Sequence, residues 1–101
     1  MPKGYWIARV DVTDPEGYQR YVAANAVAFR SFGARFIVRG GRFEAPEGIA
    51  RSGNIVLEFA DYETAVACYH SAEYQAAKAL RDGRSQADVL IIEGYDGPQP
   101  E

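Results

Sequence analysis

A chain of 101 residues with a net charge of −3, 48% hydrophobic and 25% charged residues has the size and composition of one globular domain rather than of a disordered segment. Acidic and basic residues alternate along it without a block of Lys or Arg, which argues against a nucleic-acid partner. We therefore expect a single domain over residues 1–101, with a frayed tail at 96–101.

The first two predicted elements are a strand and a helix. Residues 4–12 alternate between two kinds of side chain, as in a half-buried strand. Asp14 followed by a proline then supplies a cap and a favourable first position for a helix over 15–32. Asn25 falls on the apolar stripe of this helix. A polar amide on a core-facing stripe needs hydrogen bonds. Asn25 is therefore either a structural bracket, whose amide links neighbouring segments of the protein by hydrogen bonds, or part of the lining of a cavity.

The middle of the chain predicts two strands joined by a long loop. Residues 34–39 and 54–60 alternate like strands, and two consecutive glycines end the first of them. The connection between them is polar and contains proline and glycine, which is typical of a long hairpin loop.

The last third predicts a broken helix and a fourth strand. Asp61 caps a helix over 62–82, and Ser71 is placed to cap a second segment within it. A strand over 87–94 follows. The resulting βαββαβ order predicts an α+β, ferredoxin-like fold, with a four-stranded antiparallel sheet and helices on one face.

The strands predict one apolar sheet face and one mixed face. The apolar face, which we assign to the helices, comprises Trp6, Ala8, Val10, Phe36, Val38, Ile55, Leu57, Phe59, Leu90 and Ile92. The mixed face comprises Ile7, Arg9, Arg35, Ile37, Arg39, Val56, Glu58, Val89, Ile91 and Glu93. A half-apolar, half-charged face is expected to pack against a second copy and to enclose ion pairs, with Arg9 and Arg39 near Glu58. This predicts a face-to-face homodimer; the alternative is an exposed face with scattered charges.

A set of amides, phenols and charged groups could line a small-molecule site between helices and sheet, since such groups among apolar walls suit an aromatic or enone-like compound. The candidate ligand-binding residues are Tyr21, Asn25, Arg39, Glu58, Tyr69, His70, Ser71 and Tyr74. The alternative is a tyrosine-rich core whose hydroxyls are satisfied within the protein.

The chain shows no pattern for a metal or cofactor. His70 is the only histidine and Cys68 the only cysteine, which excludes a His–His metal pair, a Cys-based zinc site and an internal disulfide. His70 is more simply a surface histidine than an acid–base group or a haem ligand. The phosphate-loop, dinucleotide and zinc-protease motifs are missing too. We expect no cofactor.

The sequence also indicates a compartment. It contains neither an apolar run of membrane-spanning length nor a charged-then-apolar leader. A lone cysteine agrees with a reducing environment. We expect a cytoplasmic protein with no membrane partner.

Short motifs resemble those of one family of uncharacterised proteins. They are Gly4-Tyr5-Trp6, Val12-Thr13-Asp14-Pro15 with Tyr18 and Tyr21, Arg39-Gly40-Gly41, Glu47-Gly48, Glu58-Phe59, and Tyr69-His70-Ser71-Ala72-Glu73-Tyr74-Gln75 with Arg81. In this order and spacing, over residues 4–94, they resemble the domain-of-unknown-function 1330 family of the dimeric α/β-barrel superfamily. Ala72 departs from a family pattern that has proline there, a change that should not affect function.

The resemblance implies a ferredoxin-like fold and a dimer, with no established activity. Relatives in the superfamily include cofactor-free monooxygenases, lactone isomerases, haem-degrading enzymes and sensor or binding domains, and the fold does not choose among them. Two functions stay open. One is a cofactor-independent enzyme of the monooxygenase or isomerase type acting on a small organic compound, with a titratable group in an open pocket. The other is a non-catalytic small-molecule-binding or structural dimer.

Overall fold

Four strands and three helices make up the structure, a computed structural model that describes residues 2–100. In chain order they are β1 (Gly4–Val12), α1 (Pro15–Ser31), β2 (Arg35–Arg39), β3 (Gly53–Phe59), α2 (Tyr62–His70), α3 (Ala72–Ala79) and β4 (Ser85–Glu93). The strands form one antiparallel sheet in the order β2-β3-β1-β4, and the helices pack on one face of it. This is the ferredoxin-like α+β fold, and that prediction is confirmed.

Side-chain caps explain where the helices begin. Asp14 Oδ1 accepts a hydrogen bond from the Gly17 amide at 3.2 Å, and Asp61 Oδ1 accepts one from the Thr64 amide at 2.8 Å. Ser71 Oγ accepts a hydrogen bond from the Tyr74 amide in the first turn of α3 at 3.1 Å. It also donates one to the Cys68 carbonyl of α2 at 2.7 Å. One serine thus closes α2 and opens α3, which is the break that the sequence predicts.

Trp6 lies at the centre of the core, where only 1% of it is exposed. Its indole Nε1 donates to the Ala65 carbonyl at 2.8 Å, which ties α2 to β1. The ring meets Phe29 of α1 and Tyr74 of α3 edge to face, with centroids 5.4 and 4.8 Å away. One side chain on the central part of the sheet therefore contacts all three helices.

Strand β4 presents the opposite faces from those predicted. Its register places Ile91 opposite Trp6, so Ile91 and Val89 face the helices. Leu90 and Ile92 lie on the open face of the sheet, where 53% and 45% of them are exposed. The assignment of Leu90 and Ile92 to the core was wrong because alternation shows only that neighbours point to opposite sides. Pairing with β1 decides which side is which.

A β-bulge in β2 reverses the predicted faces of its last two residues. The ladder pairs Phe36 with Leu57 and Arg39 with Ile55, and both partners lie on the helix-facing side of β3. Phe36 and Arg39 are three residues apart and would face opposite sides in a regular strand. The register shift between Phe36 and Val38 turns Arg39 toward the helices and Val38 toward the open face. Strand alternation predicts Val38 on the helix-facing side and Arg39 on the open face. Both predictions are wrong, because a period of two cannot reveal an extra residue in the strand.

The predicted ion pairs of Glu58 with Arg9 and Arg39 do not form. The β1–β3 register places Tyr5 opposite Glu58, and Arg9 lies four residues farther along β1, about 13 Å away. Tyr5 donates to Glu58 at 3.1 Å, and Arg35 lies 3.9 Å from its other carboxylate oxygen. Arg9 instead donates to a carbonyl of the β2–β3 loop at 2.6 Å.

Candidate functional site

A cavity of about 130 Å³ lies between the sheet and helices α1 and α3. Strands β1, β3 and β4 contribute small and aliphatic side chains to its floor, such as Ala8, Ile55 and Val89, and β2 contributes Phe36 and Arg39. An engineered apolar cavity of similar volume, about 150 Å³, accommodates benzene in another protein. The space therefore matches one six-membered ring, with room for substituents only where it opens.

Two tyrosines join the helices at the wall of this cavity. The hydroxyls of Tyr21, on α1, and Tyr74, on α3, are 2.8 Å apart. Burial first, and then the neighbouring Tyr21, raise the pKa of Tyr74 far above its usual value, so it stays protonated at neutral pH. One hydroxyl donates to the other, and the accepting hydroxyl keeps a hydrogen with no other protein acceptor within residues 2–100. That hydrogen is available to a bound molecule.

Asn25 lines the same cavity one helical turn beyond Tyr21. The spacing of four residues places both side chains on one face of α1. Within the described part of the chain, the half-buried Asn25 amide makes no hydrogen bond to the protein, although it carries two donors and an acceptor. Asn25 therefore brings free hydrogen-bonding capacity to the wall of the cavity.

Two arginines also line the cavity. The Arg39 guanidinium lies 4.1 Å from the centroid of the Phe36 ring, and that of Arg81 lies 5.4 Å from the Tyr21 ring. Such cation–π contacts orient a guanidinium without neutralising it. Burial alone would lower the pKa of Arg81, but the adjacent tyrosines outweigh it and the pKa is raised. Arg81 therefore remains a cation.

Four of the eight candidate residues, namely Tyr21, Asn25, Arg39 and Tyr74, meet at the cavity, and the other four lie elsewhere. Glu58 is on the open face of the sheet. Tyr69 packs against Trp6 with centroids 5.7 Å apart, but does not line the cavity. His70 is exposed at the end of α2, edge-on to Tyr69 at 5.3 Å, and Ser71 is occupied as a helix cap.

Arg81 is the charged cavity residue that the candidate set omits. It falls within the helix predicted over 62–82, but α3 ends at Ala79 and Arg81 lies in the turn that follows. The signal that could have included it is its place in the motif that runs from Tyr69.

Cys68 is buried beneath α1 and outside the cavity, with its sulfur 4.0 Å from the Ala28 carbonyl. Burial, with a smaller contribution from Glu73, raises the pKa of its thiol to about 12.

We expect the Cys68 thiol of the native protein at pH 8 to resist Ellman's reagent, and the thiol of protein unfolded in guanidinium to react at once. Rapid labelling of the native state would show that the helix layer opens readily.

No helix within residues 2–100 is long and apolar enough to span a membrane. Across the same residues, no three His, Cys, Asp or Glu side chains are grouped so as to hold a metal ion. Among residues 2–100, neither histidine nor carboxylate lines the cavity, and the titratable groups that do are tyrosines and arginines.

Several solved structures have the same fold. The RPA0582 protein of unknown function from Rhodopseudomonas palustris superposes with a TM-score of 0.73 at 12% identity, over 95% of this chain and 85% of that one. SnoaB, a cofactor-independent oxygenase from Streptomyces nogalater, superposes with a TM-score of 0.67 at 13% identity over 100% of both chains. A dimeric ferredoxin-like protein of unknown function from Thermobifida fusca gives 0.61 at 12% identity, over 91% of each chain. At these identities the likeness shows the fold alone.

Sequence comparison shows the family. No curated protein sequence is significantly similar to this chain. A family model described as Domain of unknown function (DUF1330) matches residues 3–95, and the chain belongs to this family.

Proposed function

We propose that this protein is a homodimer that binds a small planar organic compound in the helix–sheet cavity and oxidises it without a cofactor. The observation that carries the proposal is a one-ring cavity whose wall holds an amide and a hydroxyl hydrogen with no protein partner among the described residues. Polar groups with spare hydrogen-bonding capacity at the wall of an apolar cavity are suited to orienting a ligand.

The chemistry of the wall favours a ligand with an oxygen substituent. A carbonyl or ionised hydroxyl on the ring would accept hydrogen bonds from Asn25 and from the Tyr21–Tyr74 pair. The aromatic side chains of Trp6 and Phe29 supply apolar edges and faces for the ring itself. Phenols and enols of one ring meet both requirements.

Oxygenation fits this wall better than isomerisation. An isomerase moves a proton between two carbons and needs a base that titrates near neutral pH, but the described part of the chain places no histidine or carboxylate at the cavity. A phenol or enol that gives up its proton to solvent water or buffer before it binds can instead pass electrons directly to O₂. One oxygen atom then enters the ring, the other leaves as water, and the substrate supplies all four electrons. The protein's part would be to hold the anion and exclude bulk water.

Fold precedent supports this class of reaction. SnoaB, which has the same fold over its whole length, is a cofactor-independent oxygenase. Function is carried by a site rather than by a fold, so the proposal rests on the cavity and the precedent only adds to it.

Non-catalytic binding of the same compounds is the second candidate. It is favoured because none of the described residues at the cavity is a base that titrates near neutral pH.

The dimer is supported by the open face of the sheet. Ile7, Val38, Leu90 and Ile92, from three strands, are each between 37% and 53% exposed on this face. A contiguous apolar patch of this kind marks an interface in most soluble proteins. The Tyr5–Glu58–Arg35 group lies on the same face and would give the interface a polar component.

The first test of the function is binding followed by turnover. Phenol, resorcinol, 4-hydroxybenzoate and salicylate would each be titrated while the melting temperature (Tm) is followed, since a ligand of the native state raises Tm. Compounds that bind would then be incubated with the protein in an oxygen electrode. Oxygen uptake proportional to protein concentration supports the oxygenase, and binding without uptake supports the non-catalytic candidate. The absence of any shift in Tm would refute the cavity as a ligand site.

Substitution of Asn25 separates a ligand group from a structural bracket. We expect Asn25→Leu, nearly equal in volume, to keep its Tm within about 4 °C of wild type, because no protein partner is left unsatisfied. Affinity for the compounds that bind should fall about tenfold or more. Gln19→Leu, on an exposed position of the same helix, is the control and should leave affinity unchanged. A large fall in Tm with unchanged affinity would make Asn25 a bracket.

A further inference from the structure

The charge of the cavity is opposite to that of the protein. The chain as a whole carries a net charge of −3, yet among residues 2–100 the cavity wall holds two arginines and no acidic residue. Within residues 2–100, no carboxylate oxygen lies within 4.0 Å of Arg39 or Arg81, whereas Arg35, Arg51 and Arg84 all have such partners. Two cations are thus held at an apolar cavity without counter-ions from the protein.

The bulge in β2 is the reason that one of these cations is present. Without the register shift between Phe36 and Val38, the alternation of the strand would turn Arg39 to the opposite face of the sheet. Bulges are common next to binding sites, where they redirect a side chain. Because β2 is an edge strand and Arg39 is exposed, its guanidinium lies where the cavity meets solvent.

Arg81 reaches the same cavity from the helix layer. It is half-buried, and its guanidinium lies against the Tyr21 ring, which is itself bonded to Tyr74. A guanidinium that is partly shielded from water and lacks a carboxylate partner attracts an anion, and it matches the planar geometry of a carboxylate.

We infer that the ligand of this cavity is an anion, a single-ring aromatic or enolic carboxylate whose charge is met by Arg39 and Arg81. The inference rests on the proposed function, since it names the class of compound that the cavity takes. The volume limits the apolar part to one ring, and the apolar floor takes that ring. The carboxylate lies toward the arginines, and Asn25 and the tyrosine pair are left for a ring oxygen.

A matched pair of probes tests the charge separately from the ring. Benzoate and benzamide have nearly the same shape, but only benzoate is charged at pH 7. Dissociation constants for both would be measured by calorimetry with wild type, Arg39→Met, Arg81→Met and the double variant. Arg30→Met, on an exposed position in the last turn of α1, is the control. Arg39→Lys keeps the positive charge but loses the planar guanidinium, which can donate two hydrogen bonds to one carboxylate.

We expect wild type to bind benzoate at least about tenfold more tightly than benzamide, as a charge-assisted pair would give. Each single Met variant should reduce that preference, and the double variant should abolish it with benzamide binding unchanged. Arg30→Met should behave as wild type, and Arg39→Lys should keep part of the preference. Unchanged benzamide binding also shows that a variant is folded.

Two results would overturn the inference, and they differ in what they say of the cavity. Equal binding of benzoate and benzamide by wild type, or a preference that survives in the double variant, would refute the anion while leaving the cavity as a ligand site. If neither these probes nor the uncharged phenols bind wild type, the proposed function fails and the inference fails with it.

Discussion

We expect Leu90→Glu to convert the proposed dimer of two 11.1 kDa chains to a monomer, as measured by light scattering during gel filtration. Leu90 is 53% exposed on the open face of β4, beside Ile7 of β1. In a symmetric dimer each substitution occurs twice, and burying an unpaired carboxylate costs on the order of 3 kcal/mol per copy. The dimer dissociation constant should therefore rise by about ten-thousandfold.

Val27→Glu provides the control for this variant. Val27 is 52% exposed, almost as much as Leu90, but it lies on α1 and not on the sheet. It should remain dimeric. Leu90→Glu should keep the circular dichroism of the wild type, because an exposed side chain contributes little to the core of one chain. A wild-type monomer at micromolar concentration, or a Leu90→Glu variant that stays dimeric, would contradict the face-to-face arrangement.

Gly4→Ala will destabilise the protein by about 3 kcal/mol or more, and Tm should fall by about 10 °C or more. Gly4 begins β1 at the point where the first turn of α2 crosses it. A Cβ placed there would lie 2.6 Å from the Asp61 carbonyl carbon and 2.7 Å from the Tyr62 Cα. Both atoms belong to the backbone, so α2 as a whole would have to shift away from the sheet.

The matched variant is Gly41→Ala, where no atom lies within 4 Å of the added carbon and the backbone φ is not positive. It should leave Tm unchanged or raise it slightly, because alanine restricts the unfolded chain more than glycine does. Urea unfolding of the two variants beside wild type measures the difference. If Gly4→Ala were within about 1 kcal/mol of wild type, the close packing of α2 on β1 would be disproved.

Local signals in the sequence determined the order of elements and their caps. Alternation predicted the four strands, and Asp14, Asp61 and Ser71 predicted the helix starts that their side chains make. Such features depend on residues within a turn or two of each other, and they do not change when the rest of the chain is arranged differently. For the same reason the stripe of α1 placed Tyr21 and Asn25 together, and both lie on the cavity wall.

Pairing between distant strands decided what the sequence could not. The faces of β4, the distance of Arg9 from Glu58 and the turn of Arg39 toward the cavity all depend on register, which is set by hydrogen bonds between segments far apart in the chain. A shift of one residue in that pairing exchanges the two faces, yet leaves the local pattern of residues unchanged. Of the polar groups at the cavity, the amide and the tyrosine pair could therefore be selected from helical spacing, whereas the cavity-facing position of Arg39 required the tertiary structure.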